Sequence, residues 1–154
     1  MRTVTRNRFL TVVVALAAIA LPGLPAGAQS PELEANKKVA IEFYEAAINR
    51  KDFDAAAAYL GPRYIQHNPS APDGAEGLRS FIEFLKANFP NQRGEIKRVI
   101  AEDDLVMLHV HSTRDDGTPG RAIVDIYRIE DGKVVEHWDV IQDIPEQAEN
   151  SNGM

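Results

Sequence analysis

The chain contains no cysteine in its 154 residues. Thiol catalysis, disulfide bridges and cysteine-ligated metal sites are therefore excluded. Aromatic residues are sparse, at 7%, with a single tryptophan, Trp138. Positive charge is also in short supply, with 17 Lys and Arg against 23 Asp and Glu. An apolar run of membrane-spanning length is missing too. The longest, Phe9 to Leu21, has 13 residues, short of the ~20 that a bilayer span needs.

That short run belongs to a three-part leader. Arg2, Arg6 and Arg8 precede it, and no acid occurs before Glu32. Pro22, Gly23 and Pro25 break any helix after it, and Ala26-Gly27-Ala28 supplies the small residues that a signal peptidase accepts. This is the pattern of a cleavable secretory signal over residues 1–28, with cleavage expected after Ala28 and delivery to the periplasm or outside the cell. No cysteine stands at the cleavage site to carry a lipid, so no stable membrane anchor is expected. Cleavage leaves 126 of the 154 residues, the size of one domain. It removes three of the 17 basic residues and no acid, so 14 face 23, a balance of −9. An acidic domain of this kind is a poor nucleic-acid binder, since phosphate recognition needs clustered Lys and Arg.

The mature chain reads as helices followed by strands. Between Pro31 and Asn49, the residues Ala40, Phe43, Tyr44 and Ala47 recur at i, i+3, i+4 and i+7, one helical face. Ser30 is the expected N-cap, with Pro31 at the first helical position. Asp52 caps a short helix from Phe53 to Leu60, ended by Gly61-Pro62. Tyr64 to Pro69 is a short extended piece leading into a loop rich in Pro, Gly and Ser. A third helix, Leu78 to Phe89, carries Leu78, Phe81, Ile82, Leu85 and Phe89 on one stripe. After Pro90 the period falls to two, and Glu95–Glu102, Leu105–Arg114, Arg121–Glu130 and Lys133–Asp143 read as four strands of an antiparallel meander. The domain is expected over 29–144, followed by a polar tail over 145–154. The fold class is α+β, with the helices packed on one face of a curved antiparallel sheet.

Polar residues inside the strands carry the functional information. Met107, His109 and His111 share one face of their strand, and Val106, Leu108 and Val110 the other. Ile123, Asp125 and Tyr127 lie together, as do Val135, His137, Asp139 and Ile141. Whether the last two sets meet depends on the turn at Glu130-Asp131-Gly132. A three-residue loop sets Asp125 opposite His137 and Ile123 opposite Asp139; a two-residue Asp-Gly loop sets Asp125 opposite Trp138. The first register is preferred because it gathers Asp125, His137 and Asp139 on one face. Covered by helices, that cluster suits general acid–base chemistry, because burial raises a carboxyl pKa and an imidazolium lowers it. Facing solvent, the same residues are simply wet. His109 and His111, with Asp125 or Asp139, also have the donor types of a site with two histidines and a carboxylate.

Tyr64-Ile65-Gln66-His67-Asn68-Pro69, then Glu76-Gly77-Leu78, then the hairpin from Asp125 through Gly132-Lys133 to His137-Trp138-Asp139 resembles the SnoaL-like polyketide cyclase family, within the nuclear-transport-factor-2-like (NTF2-like) superfamily. The resemblance spans about Leu33 to Asp143. It implies a cone-shaped α+β barrel wrapped around a long helix, with a deep cavity, no cofactor, no metal, and frequent homodimers through the outer sheet face. Trp138 alternates away from Asp139 and is expected on that outer face. Asp139 matches the aspartate that serves those cyclases as general acid–base. Asp125 stands where they have a histidine, so the substrate chemistry is not carried over with the fold. Asn68 fits the asparagine before the proline at the cavity mouth. The candidate catalytic residues are thus Asp139, Asp125 and His137, and the candidate substrate-binding residues are Tyr64, His67, Asn68, His109 and His111. Two functions remain open: a cofactor-independent acid–base enzyme working on a small carbonyl compound, and an exported domain that binds a small hydrophobic ligand without turnover.

Overall fold

The computed structural model describes residues 30–114 and 117–153. The expected signal peptide, residues 1–28, lies outside the described residues. Helix α1, Pro31–Tyr44, starts as expected: the Ser30 side chain accepts the Leu33 N–H, and Pro31 has no N–H that would need a partner. Its apolar stripe is buried without exception, from Ala40 through Phe43 and Tyr44 to Ala47. The helix does not stop at Tyr44 but widens into a π-helical turn, Glu45–Asn49. Such turns are uncommon and need outside support. Here the Asn49 amide supplies it, donating to the Gly94 carbonyl at 3.0 Å and accepting the Gly94 N–H at 2.8 Å. Gly94 has to be glycine, because a Cβ there would collide with the Tyr44 hydroxyl.

Helix α2 spans only Phe53–Ala57, capped by Asp52 through the Ala55 N–H. Leu60, Gly61 and Pro62, expected to end that helix, instead open strand β1, Leu60–Gln66. Helix α3 is Gly74–Asn88. Leu78, Ile82 and Leu85 of its stripe are buried, whereas Phe81 and the neighbouring Phe84 stay exposed. Strands β2 (Arg93–Glu102), β3 (Leu105–Thr113), β4 (Arg121–Glu130) and β5 (Lys133–Asp143) form the expected meander.

The sheet order is β1-β5-β4-β3-β2. Strand β1 joins the edge beside β5, and it joins parallel. The sheet is therefore mixed rather than antiparallel, and it curves around α1 without closing into a barrel. A parallel neighbour is possible because α3 and the whole meander separate β1 from β5, giving the chain length to return in the same direction. Irregular registers in β2–β3, in β4–β5 and along β1–β5 bend the strands.

The β4–β5 hairpin departs from the preferred register. Glu130 pairs with Lys133, so the turn holds two residues, Asp131 and Gly132, both left-handed at φ 50° and 70°. That is the type I′ geometry favoured by Asp-Gly. One strand further, Arg128 pairs with Glu136 and Ile129 with Val134, so Val135 is an extra residue on β5. The bulge advances the register by one. Asp125 consequently faces Asp139, and Tyr127 faces His137. The expected cluster forms on one face, by a tighter turn plus a bulge rather than by a longer turn.

Candidate active site

The concave face of the sheet, α1 and α3 enclose a cavity of about 280 Å³, at the small end of ligand pockets. The β4–β5 pairs line it in layers. Tyr127 and His137 form the floor, Asp125 and Asp139 the next layer, Ile123 and Ile141 the one above, and Arg121, whose partner on β5 is Asp143, the rim. Exposure rises along the same direction, from 3% for Tyr127 to 45% for Ile141. The mouth is therefore at the arginine end. Phe43 edges onto both Tyr127 and Tyr64, at centroid distances of 5.6 and 6.1 Å, and closes the floor with aromatic rings.

His137 is buried and stacked on Tyr127 at 4.8 Å. Its Nε2 lies 3.0 Å from Asp125 Oδ1, and its Nδ1 lies 3.0 Å from Gln66 Oε1. The orientation of the Gln66 amide is fixed by its surroundings, since Oε1 also accepts the Asn68 N–H while Nε2 points at the Tyr64 hydroxyl. Nδ1 must therefore carry a hydrogen, because its partner can only accept. A hydrogen bond between Oδ1 and Nε2 then requires a proton on one of the two, since both atoms are acceptors without it. Asp125 is fully enclosed, and its other oxygen, Oδ2, is the one buried side-chain polar atom without a hydrogen bond among the described residues. Burial, above all, pushes the Asp125 carboxyl up from its ordinary value; the bond to His137 opposes this and the nearby Asp139 adds to it.

Asp139 is only partly buried. Its Oδ2 accepts from Asn68 Nδ2 at 2.7 Å. The Asn68 amide is fixed in turn, because its Oδ1 accepts the Ser70 N–H at 2.8 Å. Tyr64 and Tyr44 also line the cavity, and burial raises both phenols well above their usual range, so they act there as neutral hydroxyls.

Of the eight residues proposed from sequence, five meet in this cavity: Asp139, Asp125, His137, Tyr64 and Asn68. His67, His109 and His111 do not. His67 sits between Gln66 and Asn68, and the alternation of an extended chain turns it to the opposite side. There it stacks on Trp138 at 4.6 Å and binds Glu136 Oε1 at 2.8 Å. His109 and His111 face outward because Leu108 and Val110, fully buried, take the inner face of β3. His109 meets Arg98, and His111 meets the Pro119 carbonyl. The two-histidine metal set considered from sequence thus falls on both sides of the sheet. Donor atoms of Asp125, His137 and Asp139 do lie within 4.8 Å of one another. Both nitrogens of His137 are already engaged, so an ion would have to replace the hydrogen bond between His137 and Asp125. Gln66 was missed from sequence, although the alternation Tyr64, Gln66, Asn68 in an extended segment pointed to it.

An α+β domain with an apolar cavity and a buried carboxyl–imidazole pair on its sheet defines a class. The particular family follows from comparison: a profile for SnoaL-like polyketide cyclase matches residues 38–149, and the chain belongs to that family. No curated protein matches the sequence. Among solved structures, TsrD from Streptomyces laurentii is 23% identical, with 70% of this chain and 88% of that one covered and a TM-score of 0.60. A protein assigned as a SnoaL-like polyketide cyclase from Jannaschia sp. CCS1 is 21% identical over 75% and 91%, with a TM-score of 0.62. An NTF2-like protein of unknown function from Cytophaga hutchinsonii is 18% identical over 70% and 89%, at 0.55. These likenesses establish the NTF2-like fold.

Proposed function

We propose that the protein is a cofactor-independent general acid–base enzyme acting on a small carbonyl compound, through aldol cyclisation, isomerisation or a related α-proton transfer. The observation that carries this reading is the enclosed Asp125–His137 pair, its Oδ1 and Nε2 3.0 Å apart, beside the more open carboxyl of Asp139. Two neighbouring carboxyls in unlike surroundings divide into an acid and a base. Asp125, raised by burial, keeps a proton with His137 and is the acid. Asp139, held by the Asn68 amide with its second oxygen available, is the base. Asp139 removes the α-proton, the C–H electrons form the enol double bond, and the substrate oxygen takes its proton from the Asp125–His137 pair. Tyr64, its hydroxyl already accepting from Gln66, is a donor to that oxygen as charge develops. The proton on Asp139 then goes to the product carbon or solvent, and as the carbonyl re-forms the enol oxygen returns its proton to the Asp125–His137 pair.

Deuterium exchange at the α-carbons of a simple benzo-fused ketone, 2-tetralone, followed by NMR in D2O, tests the reading. Asp139→Asn should lower the protein-dependent exchange rate about 10²–10⁴-fold, the usual worth of a positioned base. Exchange that survives the substitution at the original rate overturns it.

Two further parts of the reading concern the whole chain. Residues 1–28 are a secretory signal cleaved after Ala28, and the mature protein is a homodimer through its outer sheet face. Val140 and Ile100, 67% and 51% exposed, support the second. Native mass spectrometry of protein from its own host checks both, expecting chains that begin at Gln29 and travel in pairs. Chains that still begin at Met1 overturn the export reading, and a single-copy species overturns the dimer.

A further inference from the structure

Above its carboxyl layer the cavity is unlike its floor. Ile123 and Ile141 face each other across β4 and β5, and from α3 the exposed rings of Phe81 and Phe84 line the same space. Three of the five large apolar side chains left exposed on the described surface, Phe81, Phe84 and Ile141, thus belong to this mouth. Large apolar groups collected at a cavity entrance mark contact with an apolar ligand. Arg121 closes the layer series at the rim. Asp143 Oδ1 accepts from its Nε at 2.7 Å, the one side-chain hydrogen bond of Arg121 among the described residues. Asp143 is 80% exposed on its side chain, so this is a surface ion pair, weak and readily exchanged. The terminal amino groups of the guanidinium remain available to grip a planar anion in the two-pronged manner that suits it. Arg114 also lines the cavity, but its Nε holds Gln92 and its plane covers the Phe89 ring.

We infer that the cavity selects an amphiphilic anion: a flat, apolar carbonyl compound whose reacting carbon lies between Asp139 and Asp125 and whose single anionic group, a carboxylate in the simplest case, reaches Arg121 at the mouth. This substrate class rests on the acid–base reading of the site. The separation is set by the strand. Arg121 and Asp125 are four residues apart on the same face of β4, about 13 Å at the rise of an extended chain. An anion directly at the carboxyl layer would meet Asp125 and Asp139, whereas one displaced along the strand towards the mouth meets a cation. The chain as a whole carries −6 and repels anions, so a preference for one has to come from a local cation.

Two dyes with the same apolar body test this: 8-anilinonaphthalene-1-sulfonate, an anion, and N-phenyl-1-naphthylamine, its uncharged parent. Fluorescence titration should give the anion at least a tenfold lower Kd at low ionic strength, an advantage lost in 1 M NaCl. Arg121→Gln should remove that advantage while leaving the uncharged dye within twofold, and Asp143→Asn, which frees the guanidinium, should enlarge it. Ile123→Trp, filling the cavity, should abolish binding of both. Equal affinity for the two dyes, an advantage insensitive to both salt and Arg121→Gln, or binding that ignores Ile123→Trp each overturn the inference. Its failure is separable from failure of the acid–base reading, which is decided by exchange in Asp139→Asn and not by dye binding.

Discussion

The two faces of the β4–β5 hairpin are built from the same residue types and put them to opposite uses. On the outer face, His67 stacks on Trp138 and binds Glu136, Glu136 binds Arg128 at 2.8 Å, and Arg128 binds Asp104. Every charge there has an opposite partner and access to water. The bonds from His67 and then Arg128 hold the Glu136 carboxyl below its ordinary range. On the inner face, His137 stacks on Tyr127 and binds Asp125, but Asp125 keeps one oxygen without a partner and has no cation of its own beyond that imidazole. A histidine, a carboxylate and an aromatic ring are therefore not enough to mark a site. The inner set differs by being enclosed and incompletely satisfied, and a buried polar atom left open is costly unless a ligand completes it.

The largest expected break of this contrast is on the inner side. His137→Gln keeps a donor towards Gln66 but cannot relay a proton, so α-proton exchange should fall about 10²–10³-fold; a loss under threefold would make the pair structural. Next comes the pH dependence of stability. Because burial raises Asp125, the unfolded chain releases that proton first, and the folded state holds it. Its stabilising contribution is complete below the ordinary Asp range and is lost as pH rises through the raised value, by up to about 1.4 kcal/mol per pH unit. Urea unfolding between pH 4 and 7 should show wild type losing stability relative to Asp125→Asn as pH rises. Parallel curves would mean that Asp125 is not raised. The smallest effect belongs outside: Glu136→Gln should change stability by no more than ~1 kcal/mol, as for other exposed ion pairs, and leave exchange within twofold. A large loss of exchange there would erase the distinction between the faces.

Much of this arrangement was legible beforehand. The α1 stripe, the Ser30 and Asp52 caps and the bounds of β4 and β5 follow from period and turn chemistry, which act over a few residues. The clustering of Asp125, His137 and Asp139 was also legible, though through the wrong register: Asp131-Gly132 does signal a two-residue turn, but the bulge at Val135 that restores the alternation leaves no mark in it. The side on which His109 and His111 fall was not legible. A strand's two faces are equivalent until something packs on one, and α1 chose the side of Leu108 and Val110.

The cysteine-free, acid-rich chain by itself determined an α+β domain stabilised by packing alone, with no thiol or cysteine-metal chemistry. It also determined which residues alternate together along each strand, since that depends only on backbone geometry. The tertiary structure alone decided that β1 would lie parallel beside β5, bringing Tyr64, Gln66 and Asn68 to a hairpin some seventy residues away. That pairing is governed by which edge remains open once the meander has curled over α1, a property of the assembled sheet and of no local segment.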